Sequence, residues 1–273
     1  MNSETTTDGA PRLTVFGCRA GMPEPGWPSS GYLVQLDGGA ILLDCGPGVA
    51  PKAAAISDDL SAIFISHLHV DHCLDLLTLG KSLVHRRDGR PADLGARLPL
   101  YLPAGGTAIF RRFNGLFPLG TEGPGPHPTD RVFTDVFEVR EYVPGEPVTV
   151  GTATVLPVPM RHRLPCCGFR VSSNGHTLAY SADTGLTPAF DPLAGDADLL
   201  LVEATLASPG MLDHGHLSAS EAGQVAARHG VRRVILTHWA DTDPAWLADQ
   251  AERAAQHFPG RLELAVPDHT FHL

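Results

Sequence analysis

The segment SHLHVDHCLDL, residues 66–76, constrains this chain more than any other. It sets His67, His69, Asp71 and His72 within six residues at the mouth of an apolar run, AIFIS. In extended backbone His67 and His69 point to the same side, because side chains alternate with a period of two. Asp71 and His72 follow as the chain turns into a helix expected from about Cys73 to Arg87. Three imidazoles and a carboxylate at a buried strand end cost roughly several kcal/mol for each uncompensated charge. A bound cation removes that cost, and imidazole with carboxylate is a zinc-type donor set. The fold must therefore deliver a strand end to a place where a metal can sit.

Around this segment, short β-rich runs alternate with helical stretches. Strands are expected near Leu13 to Cys18, Tyr32 to Leu36, Ala40 to Asp44, Ala62 to Ser66 and Leu98 to Pro103, then β-like segments between Val132 and Met160. A hairpin follows in GFRVSSNGHTLAYSAD, where Asn174 and Gly175 supply the positive φ of a tight turn. Next come the buried strand ADLLLVEA, a helix from Ala219 to His229, the strand RRVILTH, a helix through PAWLADQAERAAQHF and a strand near Leu262 to Val266. Ser218 and Glu221 form a capping box before the first of these helices, and Gly230 stops it. AILLDCG followed by AIFISH echoes HTLAYSADTG followed by RVILTH. Two similar halves packed sheet to sheet, with helices outside, would bring those four strand ends to one edge.

Composition narrows the function. With 43% hydrophobic and 18% charged residues, the 273-residue chain can bury a substantial core and is expected as one domain over residues 13–273. Residues 1–12 read as a disordered tail with neither a signal peptide nor a membrane anchor, and the protein as cytoplasmic. A net charge of -10 disfavours long nucleic acids, whose binding rests on Lys and Arg. The five cysteines are odd in number and lack CxxC spacing, so no disulfide framework is expected. Fourteen histidines exceed Trp, Tyr and Met combined. The Gly/Pro-rich stretch 118–130, PLGTEGPGPHPTD, is a loop and reads as a connector more than a lid.

The HxHxDH string resembles the signature of metallo-β-lactamase-fold hydrolases, which are αββα sandwiches with a dinuclear metal site on one edge. By that resemblance Asp44 in ILLDCGPG buttresses the site, His162 in VPMRHRLPCCGFR is the next His ligand, Asp183 in YSADTG bridges, and His238 in ILTHW is the last His. From the residues alone, His162 between two arginines also reads as a surface histidine, and Asp183 before Thr184 and Gly185 as a turn residue. The similarity runs from about Leu13 to Ala265. It implies one metal on His67, His69, His162 and Asp183 and a second on Asp71, His72, Asp183 and His238. Two zinc ions are expected, with manganese or iron compatible. Such a pair lowers the pKa of a bridging water toward ~7 and supplies a nucleophile for hydrolysis.

LLVEATLAS and GHLSASEAGQVAARHGVRRVILTH resemble the ribonuclease Z and phosphodiesterase branch of that family. The resemblance gives Glu203 and His216 catalytic roles beside the metals, with Asp71 counted as both ligand and catalytic residue. A carboxylate-held imidazolium can protonate the leaving oxygen. His216 also fits mere packing at the helix entrance, and His214 is a rival; His216 is preferred for its spacing to the helix. Transfer-RNA processing enzymes differ: Val202 replaces the His of their HEAT motif, His216-Leu217-Ser218 stands for HST, and the 118–130 loop has no Lys or Arg. The expected substrate is thus a small phosphodiester. The alternatives are hydrolysis of a carboxylic ester, lactone or thioester, a metal-dependent metabolite-binding accessory role, and transfer-RNA 3′ processing. No membrane partner is expected, and a homodimer is compatible.

Overall fold

The computed structural model describes residues 10–87, 97–117, 131–209 and 215–273, with backbone alone at 85–87. The first apolar runs pair in an antiparallel meander of β1 (Arg12–Gly17), β2 (Gly31–Leu36) and β3 (Gly39–Leu43). From β3 onward the connections carry helices and the strands run parallel, as crossovers require. Helix α1 (Ala50–Ala55) leads to β4 (Leu60–Phe64). Helices α2 (Val70–Cys73) and α3 (Asp75–Arg87) precede β5 (Leu98–Leu102), and α4 (Gly106–Gly115) precedes β6 (Phe137–Glu141).

The second sheet begins as an antiparallel run of β7 (Val148–Val150), β8 (Ala153–Pro159), β9 (Cys167–Ser173) and β10 (His176–Tyr180). It turns parallel through α5 (Phe190–Ala194), β11 (Leu199–Glu203), α6 (Ala219–Arg228), β12 (Arg233–Thr237), α7 (Pro244–Ala255) and β13 (Arg261–Leu264). Strand β14 (Thr270–His272) crosses back to pair with β1. The two seven-stranded sheets are ordered β14-β1-β2-β3-β4-β5-β6 and β13-β12-β11-β10-β9-β8-β7.

Strand periodicity sorts the core. Tyr32, Val34, Ile41, Leu43, Ala62 and Phe64 join one buried cluster with Phe169, Val171, Leu178 and Tyr180 of the opposite sheet. The alternate residues Leu33, Leu42, Ile63 and Ile65 join a second with Leu76, Leu79, Leu83 and Phe110 from the outer helices. This is the expected αββα sandwich. No helix among the described residues is long and apolar enough to cross a membrane.

Several expectations need correction. The helix after the histidine segment begins at Val70 as a single turn and restarts at Asp75, whose carboxylate turns aside to accept from Gly48 and Ala50 N–H. Val132–Val136 forms a π-helical turn instead of a strand; Val132, Phe133 and Val136 pack onto the helix side of the first sheet. Arg12, expected in the tail, stands in β1. Residues 1–9, the 118–130 loop and His214 lie outside the described residues. The hairpin turn has φ of 50° at Asn174 and 78° at Gly175, and the capping box of α6 is formed in both directions.

Candidate metal centre

Parallel strands point their carboxyl ends the same way, and the loops beyond those ends form the natural crevice of an α/β sheet. Asp44 directly follows β3, His67 lies three residues beyond β4, Glu203 closes β11 and His238 directly follows β12. Strand β8 runs with β10, both being antiparallel to β9, so His162 and Asp183 emerge at that edge too. Three of these strand ends carry a non-glycine residue at positive φ: Asp44 (63°), Ala182 (50°) and His238 (60°). Such backbone costs of order 1–3 kcal/mol each and persists where surrounding structure fixes it, typically at functional sites.

The residues singled out in the sequence converge. His67, His69, His162 and Asp183 form one group that could hold a metal ion, Asp71, His72 and His238 a second, and Asp183, His216 and His238 a third overlapping both. His69 Nδ1 stands 2.9 Å from His67 Nε2 and 3.1 Å from His162 Nε2, and His72 Nε2 lies 3.2 Å from His238 Nε2. Tetrahedral ligation at a Zn–N bond of about 2.0–2.1 Å sets neighbouring nitrogens roughly 3.3 Å apart. Asp183 lies between the groups. Its Oδ2 is 3.6 Å from His67 Nε2 and 3.9 Å from His162 Nε2, while Oδ1 is 3.3 Å from His72 Nε2 and 3.4 Å from His238 Nε2. Despite that proximity, Asp183 Oδ1 is buried without a well-formed hydrogen bond. A buried carboxylate oxygen left orphaned among imidazole nitrogens fits a cation between them.

The outward nitrogens support the same orientation. Ser66 Oγ contacts His67 Nδ1 at 3.0 Å, Asp44 Oδ2 meets His72 Nδ1 at 2.8 Å, the Gly215 carbonyl meets His162 Nδ1 at 2.9 Å, and Thr205 Oγ1 meets His238 Nδ1 at 2.8 Å. Oxygen partners on the far nitrogen fix these four rings and leave their Nε2 facing inward, as outer partners of metal-binding histidines do, whereas His69 presents Nδ1. Burial, reinforced by the neighbouring imidazoles, depresses the His67 imidazolium far below its ordinary value. Burial acts on His72 in the same direction, yet the Asp183 and Asp44 carboxylates outweigh it and raise that ring. Burial opposes ionisation of Asp183, and the His238 and His72 rings overcome it to hold the carboxylate ionised.

Beside the cluster stands the pair expected from the second set of motifs. Glu203 is 1% exposed and its Oε1 and Oε2 lie 3.0 and 3.2 Å from His216 Nδ1. It also accepts from Thr184 N at 2.6 Å and Leu217 N at 3.2 Å, which supplies the partners a buried carboxylate needs. The His216 ring is nearly parallel to His238, with centroids 5.7 Å apart.

Sequence reasoning missed most of the supporting residues: Ser66, Tyr180, Thr205 and the backbone of Gly21, whose N–H donates to Asp71 Oδ2 at 2.7 Å. One signal was present in DCGPG. A Cβ on Gly46 would come within 1.9 Å of the Asp71 carbonyl oxygen, so the glycine admits the metal-segment backbone. Two cysteines border the cluster: Cys166 Sγ lies 3.7 Å from His67 Nδ1 and donates to the Asp183 carbonyl at 3.4 Å. Cys73 Sγ donates to the His69 carbonyl at 3.2 Å, and burial pushes its thiol up to about 12.

Comparison with known proteins matches residues 40–239 to the model of the beta-lactamase superfamily domain. An uncharacterized protein of Mycobacterium tuberculosis is 35% identical over 266 residues, covering 95% of this chain and 91% of that protein. A ribonuclease Z of Mycobacterium bovis is 30% identical over 270 residues, covering 92% and 94%. The crystal structure of the metallo-beta-lactamase fold protein YhfI from Bacillus subtilis superposes with a TM-score of 0.80 at 24% identity, covering 97% and 100% of the two chains. Family and clusters together point to divalent metal binding.

Proposed function

This chain belongs to the beta-lactamase superfamily, and from that premise we propose that it is a dinuclear zinc-dependent hydrolase of a small phosphodiester. His67, His69, His162 and Asp183 would hold one ion, and Asp71, His72, His238 and the other oxygen of Asp183 the second. Ions bound there would supply activation of water near neutral pH and positive charge for a phosphoryl group. The chain's own contribution to the chemistry is the proton. Glu203 holds His216 through Nδ1, which leaves Nε2 to give a proton to the departing oxygen. Thr184 and Leu217 N–H keep the carboxylate in place, so the imidazole is held by a fixed anchor.

The observation that carries this reading is the His216–Glu203 pair at the rim of a cluster with a central, orphaned carboxylate oxygen. Turnover of bis(p-nitrophenyl) phosphate against p-nitrophenyl acetate by zinc-loaded protein, with metal content measured on the same sample, is the test. Preference for the acetate would overturn the substrate class, and a single metal per chain the dinuclear centre. The likeness to ribonuclease Z favours transfer RNA as a second reading. The charge of -10 argues against it, and salt-sensitive RNA binding would decide for it.

A further inference from the structure

Beneath the cluster two buried tyrosines exchange hydroxyls between the sheets. Tyr32, 0% exposed, rises from β2 in the first sheet, and its hydroxyl meets Thr237 Oγ1 of β12 in the second at 2.8 Å. Tyr180, 2% exposed, rises from β10 in the second sheet and donates to Asp44 Oδ2, just past β3 in the first, at 2.7 Å. The rings contact each other with centroids 5.0 Å apart. A buried hydroxyl without a partner is costly, and each of these two has a partner on the opposite sheet's side of the core.

The recipients are specific. Asp44 Oδ2 also meets His72 Nδ1, and Asp44 Oδ1 accepts from Ser66 N at 2.7 Å. Thr237 immediately precedes His238, whose backbone is held at a φ of 60°. His72 on α2, which follows β4 of the first sheet, and His238, which follows β12 of the second, face each other through Nε2 and belong to the same three-residue group. Within the other group, His67 reaches Asp44 only through Ser66 Oγ, and no hydrogen bond joins either tyrosine to His69 or His162. We infer that Tyr32 and Tyr180 are positioning residues for the Asp71/His72/His238 site: crossed inter-sheet hydrogen bonds that fix the separation of its two facing histidines.

The inference rests on the two-metal reading, and a titration separates them. Cobalt(II) added to metal-free protein reports stoichiometry and per-site affinity through its visible spectrum, and His72→Ala identifies which step belongs to this site. Tyr180→Phe and Tyr32→Phe keep the rings; each should weaken that site by up to about ten-fold, the lower bound for losing a direct partner of a metal-binding His, with the other site within two-fold. Tyr101→Phe, whose hydroxyl accepts from Arg140, should leave both sites unchanged. Equal weakening of both sites would mean a general packing role and overturn the inference, as would unchanged affinity in both variants. Should one variant fail to fold by circular dichroism, the other reads the same site from the opposite sheet. One metal in the wild type overturns the dinuclear reading instead; the inference then falls only if that metal is indifferent to both tyrosines.

Discussion

Glu203→Gln, set beside His216→Ala, tests the proton donor quantitatively. Burial alone would depress the His216 imidazolium, but the hydrogen bond and charge of Glu203, with Asp183 behind, reverse this and raise it from 6.5 to about 9. A raised value means the acid form is full at low pH and is lost as pH climbs through about 9 in the wild type. Without the carboxylate charge the loss begins near the ordinary histidine value. At pH 8 that is about 90% acid form against about 3%, roughly a 30-fold difference, while at pH 6 the two differ little.

The assay is a pH–rate profile on zinc-loaded protein across phosphodiesters with alkoxide, phenolate and p-nitrophenolate leaving groups. His216→Ala should lose about 100- to 10,000-fold on alkoxides, which need protonation, and little on p-nitrophenolate. Glu203→Gln should shift the basic limb toward acid and lose about 30-fold at pH 8 on alkoxides only. The glutamine amide would face either the Thr184 or the Leu217 N–H, so its folding is to be checked by denaturation. A loss uniform across leaving groups, or a basic limb that does not move, would refute proton donation by this pair.

Three further outcomes follow from the geometry. Asp183→Ala removes the oxygens facing both histidine groups, so it should lose more metal than His162→Ala, and retention of two metals by atomic absorption would end the bridging role. Cys73→Ser should keep metal content and most turnover, because the thiol is tied to a backbone carbonyl; loss of one metal would reveal a thiolate ligand. Ser218→Ala breaks the hydroxyl half of the α6 capping box and should cost about 1 kcal/mol in urea denaturation with metal content unchanged. A cost near zero would mean that Glu221 caps the helix alone through Ser218 N.

What could be read from the sequence depended on how local the cause was. Tyr32, Val34, Ile41 and Leu43 face the other sheet and Leu33 and Leu42 the helices because alternation is a property of neighbouring residues. The α6 cap and the Asn174-Gly175 turn are equally local. Helices α1, α4 and α5 were not legible: α1 and α5 have 6 and 5 residues, and α4 contains Gly106 and Gly115, so neither length nor propensity marked them. The π-helical turn at Val132–Val136 reads as strand in propensity and is set by packing instead.

The site divides along the same line. His67, His69, Asp71 and His72 were legible because they crowd the end of one apolar strand, whereas His162 and Asp183 also had ordinary local readings and were singled out by the family resemblance. Their outer partners were not legible. Tyr180 and Asp44 are separated by 136 residues and Tyr32 and Thr237 by 205, and each tyrosine alone is an ordinary core aromatic. Only the sandwich makes them a pair: β2 and β3 stand beside each other in one sheet, β10 and β12 flank β11 in the other, and each ring spans the interface to the opposite strand end. A cluster drawing on both halves of the chain thus needs something to fix one half against the other, and apolar contact supplies attraction without direction. Hydrogen bonds have direction, and the two that cross here end at Asp44, which meets the His72 ring, and at Thr237, the residue before His238.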